Sequence, residues 1–187
     1  MTTEIIVVRH GATEWSENGR HTGRTDLPLT AVGRAEAESL RERIRKLDLA
    51  LVLTSPLLRA RETADLAGVG ERAEVVDALR EWDYGEYEGV TTAEVRRTIP
   101  GWTVWTGPCP GGETADDVGA RADTVLARAA SVDGSVAVFS HGHFLRVLIA
   151  RWLGLAPADG RLFALATGTL SALGHEREQP VLKRLNG

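Results

Sequence analysis

Cysteine is almost absent from this chain. Cys109 is the only one among 187 residues, so no intrachain disulfide can form and a thiolate metal cluster is excluded. Lysine is nearly as scarce: Lys46 and Lys183 stand against twenty arginines, part of a total of 22 basic residues. Arginine supplies the planar fork that grips phosphate in a bidentate way, which a point-charge ammonium does not. No apolar run approaches the roughly 20 residues of a membrane span. The amino-terminal stretch, residues 1–8, lacks the basic and long apolar regions of a signal peptide, so a cytoplasmic protein is expected. Net charge is −4 and the isoelectric point near 5.8, which gives no long-range attraction to nucleic acid or an anionic membrane. An anionic substrate must therefore find its positive charge locally.

What is present is ordinary globular material, 43% apolar and 26% charged, enough for a real core in one domain covering residues 1–187. Strand-length apolar runs alternate with helical patterns, which predicts an α/β fold with a mostly parallel central sheet. Residues 4–8, 50–54, 73–76 and 135–140 read as strands, and residues 162–166 and 169–174 as late ones, the last antiparallel at an edge. Thr30 caps a helix on which Ala37, Leu40, Ile44 and Leu47 recur at helical spacing. Ser55-Pro56 reads as a cap and first-turn proline of a helix towards Ala67. Further helices are expected over 92–98, 113–130 and 142–152. Residues 84–112, rich in Gly, Pro and Trp, read as a loop-and-helix insertion over one end of the sheet.

One pattern occurs twice. Ile5-Ile6-Val7-Val8 runs into Arg9-His10-Gly11, and Val136-Ala137-Val138-Phe139 into Ser140-His141-Gly142. Carboxyl ends of strands in an open α/β sheet form the ligand crevice, so both histidines can reach one pocket. Glycine afterwards lets the backbone turn and approach a ligand. Arg9 sits beside His10, and Arg59 lies in the first turns after the second strand; a surface ion pair with Glu62 or Glu36 is its competing reading. Two arginines and two histidines can neutralise a phosphoryl group through charge-assisted hydrogen bonds. The amides of Gly142 and His143, at a helix start, offer a further anion site. A neutral imidazole can attack phosphorus directly. The leaving oxygen then needs a proton, for which Glu81 and Asp83 compete, and spacing does not choose between them.

The motifs Arg9-His10-Gly11-Ala12-Thr13-Glu14-Trp15, His21-Thr22-Gly23, Leu27-Pro28-Leu29-Thr30, Ser55-Pro56 through Arg59 to Thr63-Ala64, residues 81–89 and Ser140-His141-Gly142 follow in this order. In this the chain resembles the histidine phosphatase superfamily, the phosphoglycerate mutase-like proteins, over nearly its whole length. Residues 81–85 and 102–109 look especially like the small actinobacterial acid phosphatases of that family. The resemblance implies a three-layer α/β/α sandwich and no metal or other cofactor. It implies that His10 becomes phosphorylated, that Arg9, Arg59 and His141 bind the phosphoryl group, and that Glu81 is the proton donor.

Substrate contacts follow less directly. Ser16 stands where many relatives carry Asn and reaches less far; Thr22 and Gly23 match a segment beside the substrate. Tyr84 matches a tyrosine that touches substrate in the mutases, with a packed aromatic as its other reading. Arg96 and Arg97 are the only basic residues where the longer mutases carry substrate contacts, and they read equally as a solvated face. The expected activity is hydrolysis of a small phosphomonoester, a sugar phosphate or related metabolite, by a monomer or homodimer. Phosphoglycerate mutase and a non-catalytic phospho-ligand binder are the alternatives. A metal site at His141-Gly142-His143 would need carboxylates to complete it. No G-x-G-x-x-G follows the first strand, and Cys109 between prolines is a poor nucleophile.

Overall fold

The computed structural model describes residues 4–187; Met1–Thr3, part of the stretch read above for a leader, lie outside the described residues. In chain order the elements are β1 (Ile5–Arg9), α1 (Glu14–Glu17), α2 (Ala31–Ser39), α3 (Arg41–Ile44), β2 (Leu49–Thr54), α4 (Leu58–Leu66) and β3 (Ala73–Val75). There follow α5 (Thr92–Thr98), α6 (Ala115–Ala130), β4 (Ser135–Ser140), α7 (Gly142–Trp152), β5 (Leu170–Glu176) and β6 (Gln179–Arg184). The six strands form one sheet in the order β3-β2-β4-β1-β5-β6. β3, β2, β4 and β1 run parallel, β5 runs antiparallel to β1, and β6 antiparallel to β5.

Alternation along the strands builds the layers, because successive side chains point to opposite faces. Ile5 and Val7 join Leu53, Val136 and Val138 under α6 and α7, against Val125, Phe144 and Leu148. Ile6 and Val8 join Val52, Ala137 and Phe139 on the other face, against Leu40, Ile44 and Ala64. The fold is the α/β/α sandwich of the sequence expectation.

Caps set the helix starts. Thr30 accepts from the Gly33 amide at 3.1 Å as expected. Thr114 forms a reciprocal capping box with Asp117, so α6 begins at Ala115 rather than at residue 113. The helix expected after Thr30 is broken at Leu40 into α2 and α3, although Ala37, Leu40 and Ile44 still share the buried face.

Three expectations are corrected. The helix after β2 starts at Leu58, not at Ser55-Pro56: Leu57 is extended, and the Leu58 amide is capped from afar by Asp26 Oδ1 at 2.7 Å. Residues 162–166 form no strand; the chain there leaves a short 3-10 turn (Pro157–Leu162) and spends the Leu165 carbonyl on Arg9. β5 is antiparallel but is not the edge, because β6 pairs outside it. The connecting turn puts Arg177 at φ +54°, a left-handed position with no Gly or Asn to signal it. Pro180, which argues against a central strand, is tolerated at this edge.

At the active end two backbones touch. A Cβ on Gly33 would lie 2.1 Å from the Ala12 carbonyl oxygen, and one on Gly11 equally close to the Gly33 oxygen. Gly11 is therefore required by the packing of its loop on α2. Gly33→Ala should force the loop after His10 away from α2, at a cost of about 1–3 kcal/mol. We expect a melting temperature lower by several degrees together with reduced activity; an unchanged melting curve would contradict the contact.

Candidate active site

Strand order makes the site. β1, β4 and β2 are parallel neighbours in register, with Arg9 beside Ser140 and Thr54 beside Phe139. The next residues are tied across the strand ends: the His10 amide donates to Ser140 O and the Ser55 amide to Phe139 O, both at 3.0 Å. His10, His141 and Ser55 thus emerge together at the carboxyl ends, where the crevice of such a sheet lies. The His10 and His141 ring centroids are 5.2 Å apart.

Hydrogen bonding assigns both tautomers. His10 Nδ1 lies 2.7 Å from Gly11 O, which can only accept, so Nδ1 carries the proton and Nε2 keeps its lone pair. Arg59 Nε donates to His141 Nδ1 at 3.1 Å, so the proton of His141 sits on Nε2, 2.7 Å from Ser55 Oγ. Burial, followed by the charges of Arg59 and Arg9, holds His10 well below the ordinary imidazole pKa of 6.5. Burial and Arg59 do the same to His141, and burial and Arg146 to His143. His10 is a neutral imidazole with a free Nε2.

Arg59 is fully buried and pairs with neither Glu62 nor Glu36. Its Nη1 donates to Thr25 O at 2.9 Å, and its Nη2 to Thr22 O and Gly23 O, both at 3.0 Å. Glu88 takes the amides of the same loop, Gly23 N at 2.9 Å and Thr25 N at 3.0 Å. Arg59 and His141 therefore underlie His10 with most of their hydrogen bonds already made. Arg9 is different. Its Nη1 reaches Leu165 O, while its Nε is buried with no partner among the described residues. An unpaired buried donor costs about 1–3 kcal/mol, which an anion accepting from it would recover.

Glu81 sits at the start of α7. Its Oε1 accepts from Trp82 N at 2.9 Å and Phe144 N at 2.8 Å, and its Oε2 from His143 N at 3.0 Å. The helix start thus binds a carboxylate of the chain itself. This corrects the expectation that the His143 amide serves an external anion; of that pair only Gly142, which lines the cavity, remains available. Asp83 turns outward to Arg24 at 2.7 Å and to the Gly85 amide at 3.0 Å.

The cavity between these groups measures about 240 Å³, and Arg9, His10, Glu81, Tyr84 and Gly142 line it. Ser16 and Thr22 line it too, but the Ser16 hydroxyl donates to Thr13 O and accepts from Thr13 N within the cap of α1. Gly23 does not line it; a Cβ there would meet Trp82 O and Glu88, both at 2.6 Å. Tyr84 stacks on His21 and shares a 2.6 Å hydrogen bond with His143 Nδ1. Arg96 is spent on Trp102 O, and neither it nor Arg97 lines the cavity. Arg20, His21, Thr92 and Arg146 do, and sequence reasoning missed Arg20, Thr92 and Arg146 because nothing local marks a surface arginine or threonine as pocket-facing. A larger recess, about 770 Å³, lies at the start of β2 between α3 and Val69, away from both histidines and Glu81. Burial pushes the Cys109 thiol up to about 11, which leaves it protonated and unreactive. No group of three or more metal-ligating side chains converges among the described residues. No helix among them is long and apolar enough to cross a membrane.

A free imidazole, an unpaired arginine donor and a carboxyl group lining one cavity are suited to holding a phosphoryl group. The family comparison agrees: the profile of the histidine phosphatase superfamily (branch 1) matches residues 5–187, and the chain belongs to that family. It is 44% identical over 176 residues to an acid phosphatase of Mycobacterium tuberculosis, covering 92% of this chain and 86% of that protein. It is 38% identical to the sedoheptulose 1,7-bisphosphatase of Saccharomyces cerevisiae, over 83% of this chain and 69% of the relative. A solved Mycobacterium tuberculosis structure superimposes with a TM-score of 0.94 at 41% identity, covering 98% and 97% of the two chains. The chain is a histidine phosphatase, a hydrolase of phosphate esters.

The depressed histidines predict a pH dependence. The unfolded chain takes up protons below about pH 6.5 while these imidazoles stay neutral in the fold, so stability is flat above 6.5 and falls as pH drops below it. Each contributes a slope of about 1.4 kcal/mol per pH unit in that window. Imidazole nitrogen NMR at pH 6 should show His10 as the Nδ1–H and His141 as the Nε2–H tautomer; an imidazolium at either position would overturn the assignment.

Proposed function

We propose that this phosphatase hydrolyses a small phosphomonoester, a sugar phosphate or related metabolite, through a phosphohistidine on His10. The observation that carries this reading is the orientation of His10: its Nδ1–H is pinned to Gly11 O, so the unprotonated Nε2 is the atom left for attack. In the first step Nε2 bonds to phosphorus as the P–O bond to the leaving group breaks, and Glu81 gives its proton to that oxygen. In the second, the Glu81 carboxylate takes a proton from water as the water oxygen attacks phosphorus; the N–P bond breaks and inorganic phosphate leaves.

Arg9 supplies the charge-assisted donor for the phosphoryl oxygens, with its unpaired Nε as the available hydrogen. Arg59 and His141 share that role from beneath, through the remaining Nη1 hydrogen and the Nε2–H now resting on Ser55. Gly142 offers its backbone at the helix start. Tyr84, Thr22 and Ser16 border the rest of the substrate, and Gly23 acts by letting the loop pack. The small cavity suits a sugar phosphate, and the relative named sedoheptulose 1,7-bisphosphatase supports that class. Arg96 and Arg97, turned away from the cavity, favour transfer to water over the mutase reaction.

His10→Ala should fold normally and lose activity by about 10³-fold or more. Glu81→Gln should lower kcat/KM for an alkyl phosphate by about 10²–10⁴-fold, and for p-nitrophenyl phosphate far less, since that leaving group needs no proton. Chelator should leave both rates unchanged. Phosphate release measured beside a bisphosphoglycerate-primed mutase assay decides the reaction; mutase turnover with slow hydrolysis would replace phosphatase by mutase and keep His10 as carrier.

A further inference from the structure

The proton donor sits on a segment that the regular backbone ladders do not hold. Residues 80–84 belong to neither helix nor strand, yet they carry Glu81 to the cavity that His10 lines. Arg121, in the middle of α6, occupies that gap. Its Nη1 donates to Ala78 O at 2.6 Å and to Arg80 O at 3.0 Å, and its Nη2 approaches Glu81 O at 3.4 Å. Its Nε and Nη2 meet the two Glu113 oxygens side-on at 2.7 and 2.9 Å. All five N–H groups are thus committed, three of them to carbonyls of residues 78–81; the fourth carbonyl of the run, Leu79 O, accepts from Ser140 Oγ at 2.7 Å. Glu113 extends the same grip: its Oε2 accepts from Asp83 N, and its carbonyl from Trp82 Nε1, each at 2.9 Å.

The guanidinium also reaches the other end of the acid. It lies 5.0 Å over the ring of Phe144, whose amide donates to Glu81 Oε1. Arg121 thus gathers the backbone of Glu81 and packs on the residue whose amide holds its carboxyl, whereas His10 is fixed through Ser140 O and through the Gly11 amide on Thr63 Oγ1; Ser140, whose Oγ holds Leu79 O, touches both anchorages. We propose that Arg121, held in its fork geometry by Glu113, is the positioning residue for the catalytic acid: it sets where Glu81 stands relative to the leaving oxygen and takes no part in gripping phosphate. The inference rests on Glu81 being the acid. Lysine cannot replace the fork, because one ammonium cannot span Ala78 O, Arg80 O and both Glu113 oxygens.

The test compares kcat/KM for p-nitrophenyl phosphate and for β-glycerophosphate in wild type, Glu81→Gln, Arg121→Lys, Glu113→Gln and the Glu81→Gln/Arg121→Lys double variant. This constant reports the steps up to leaving-group departure, where only the alkyl ester needs the proton. A misplacement of about 1 Å can cost about 10²-fold. Arg121→Lys and Glu113→Gln should therefore lose about that much on β-glycerophosphate, stay within about threefold on the aryl ester, and leave the inhibition constant for inorganic phosphate unchanged. Adding Arg121→Lys to Glu81→Gln should cost nothing further, because the two act through one proton. Equal losses on both substrates, or independent losses in the double variant, overturn the positioning role while the acid stands. Equal losses in Glu81→Gln alone overturn the acid and the inference with it. Arg121→Lys and Glu113→Gln keep charge or volume, so neither result depends on the harsher Arg121→Ala folding.

Discussion

A guanidinium with no carboxylate at ion-pair distance lies beneath His10. Removing the Arg59 charge from water is costly unless its hydrogen bonds are made elsewhere. They are made to three carbonyls of residues 22–25 and to His141. That requirement shapes everything around it. The loop after His21 must bring Thr22, Gly23 and Thr25 to α4, Glu88 must collect the amides those carbonyls leave behind, and Gly23 must be small enough to pass Trp82 and Glu88. Arg59 also fixes the His141 tautomer, and through it Ser55 at the end of β2. Two strand ends and one loop are locked by one side chain.

The same burial explains why histidine can be the nucleophile. Positive charge from Arg9 and Arg59, added to desolvation, makes the imidazolium form of His10 unfavourable. In the proposed mechanism the arginines that grip an anion also keep the attacking nitrogen unprotonated, while the bond to Gly11 O decides which nitrogen that is. Attraction for substrate and readiness of the nucleophile arise from one electrostatic arrangement, and this needs no long-range positive field, consistent with a chain of net charge −4.

Glu81 stands outside that arrangement. It belongs to an irregular segment, its carboxyl is set by amides of α7, and its backbone is gathered by Arg121 and Glu113. The proposed nucleophile and acid are thus anchored mainly in different parts of the fold, His10 in the sheet and Glu81 in a clamp built from α6, with Ser140 touching both. Their relative placement is a tertiary property.

The amino-acid sequence by itself determined the α/β alternation and the two strand-histidine-glycine units, because strand periodicity and the residues that end each strand are local; the choice of His10 between the two histidines came from the resemblance of its motifs to a family. Thr30 as a cap and the helices over 92–98 and 142–152 were legible for the same local reason. The hairpin through Arg177 was not, since its left-handed turn carries no glycine, and neither was the cap of α4, which comes from Asp26 more than thirty residues away. Spacing left Glu81 and Asp83 equal and only the resemblance pointed to Glu81; the packed structure places Glu81 at the cavity and turns Asp83 out to Arg24. Arg20, Arg146, Glu88 and Arg121 likewise became visible only once distant segments met, for the geometry of a hydrogen bond depends on both partners and the sequence states them one at a time.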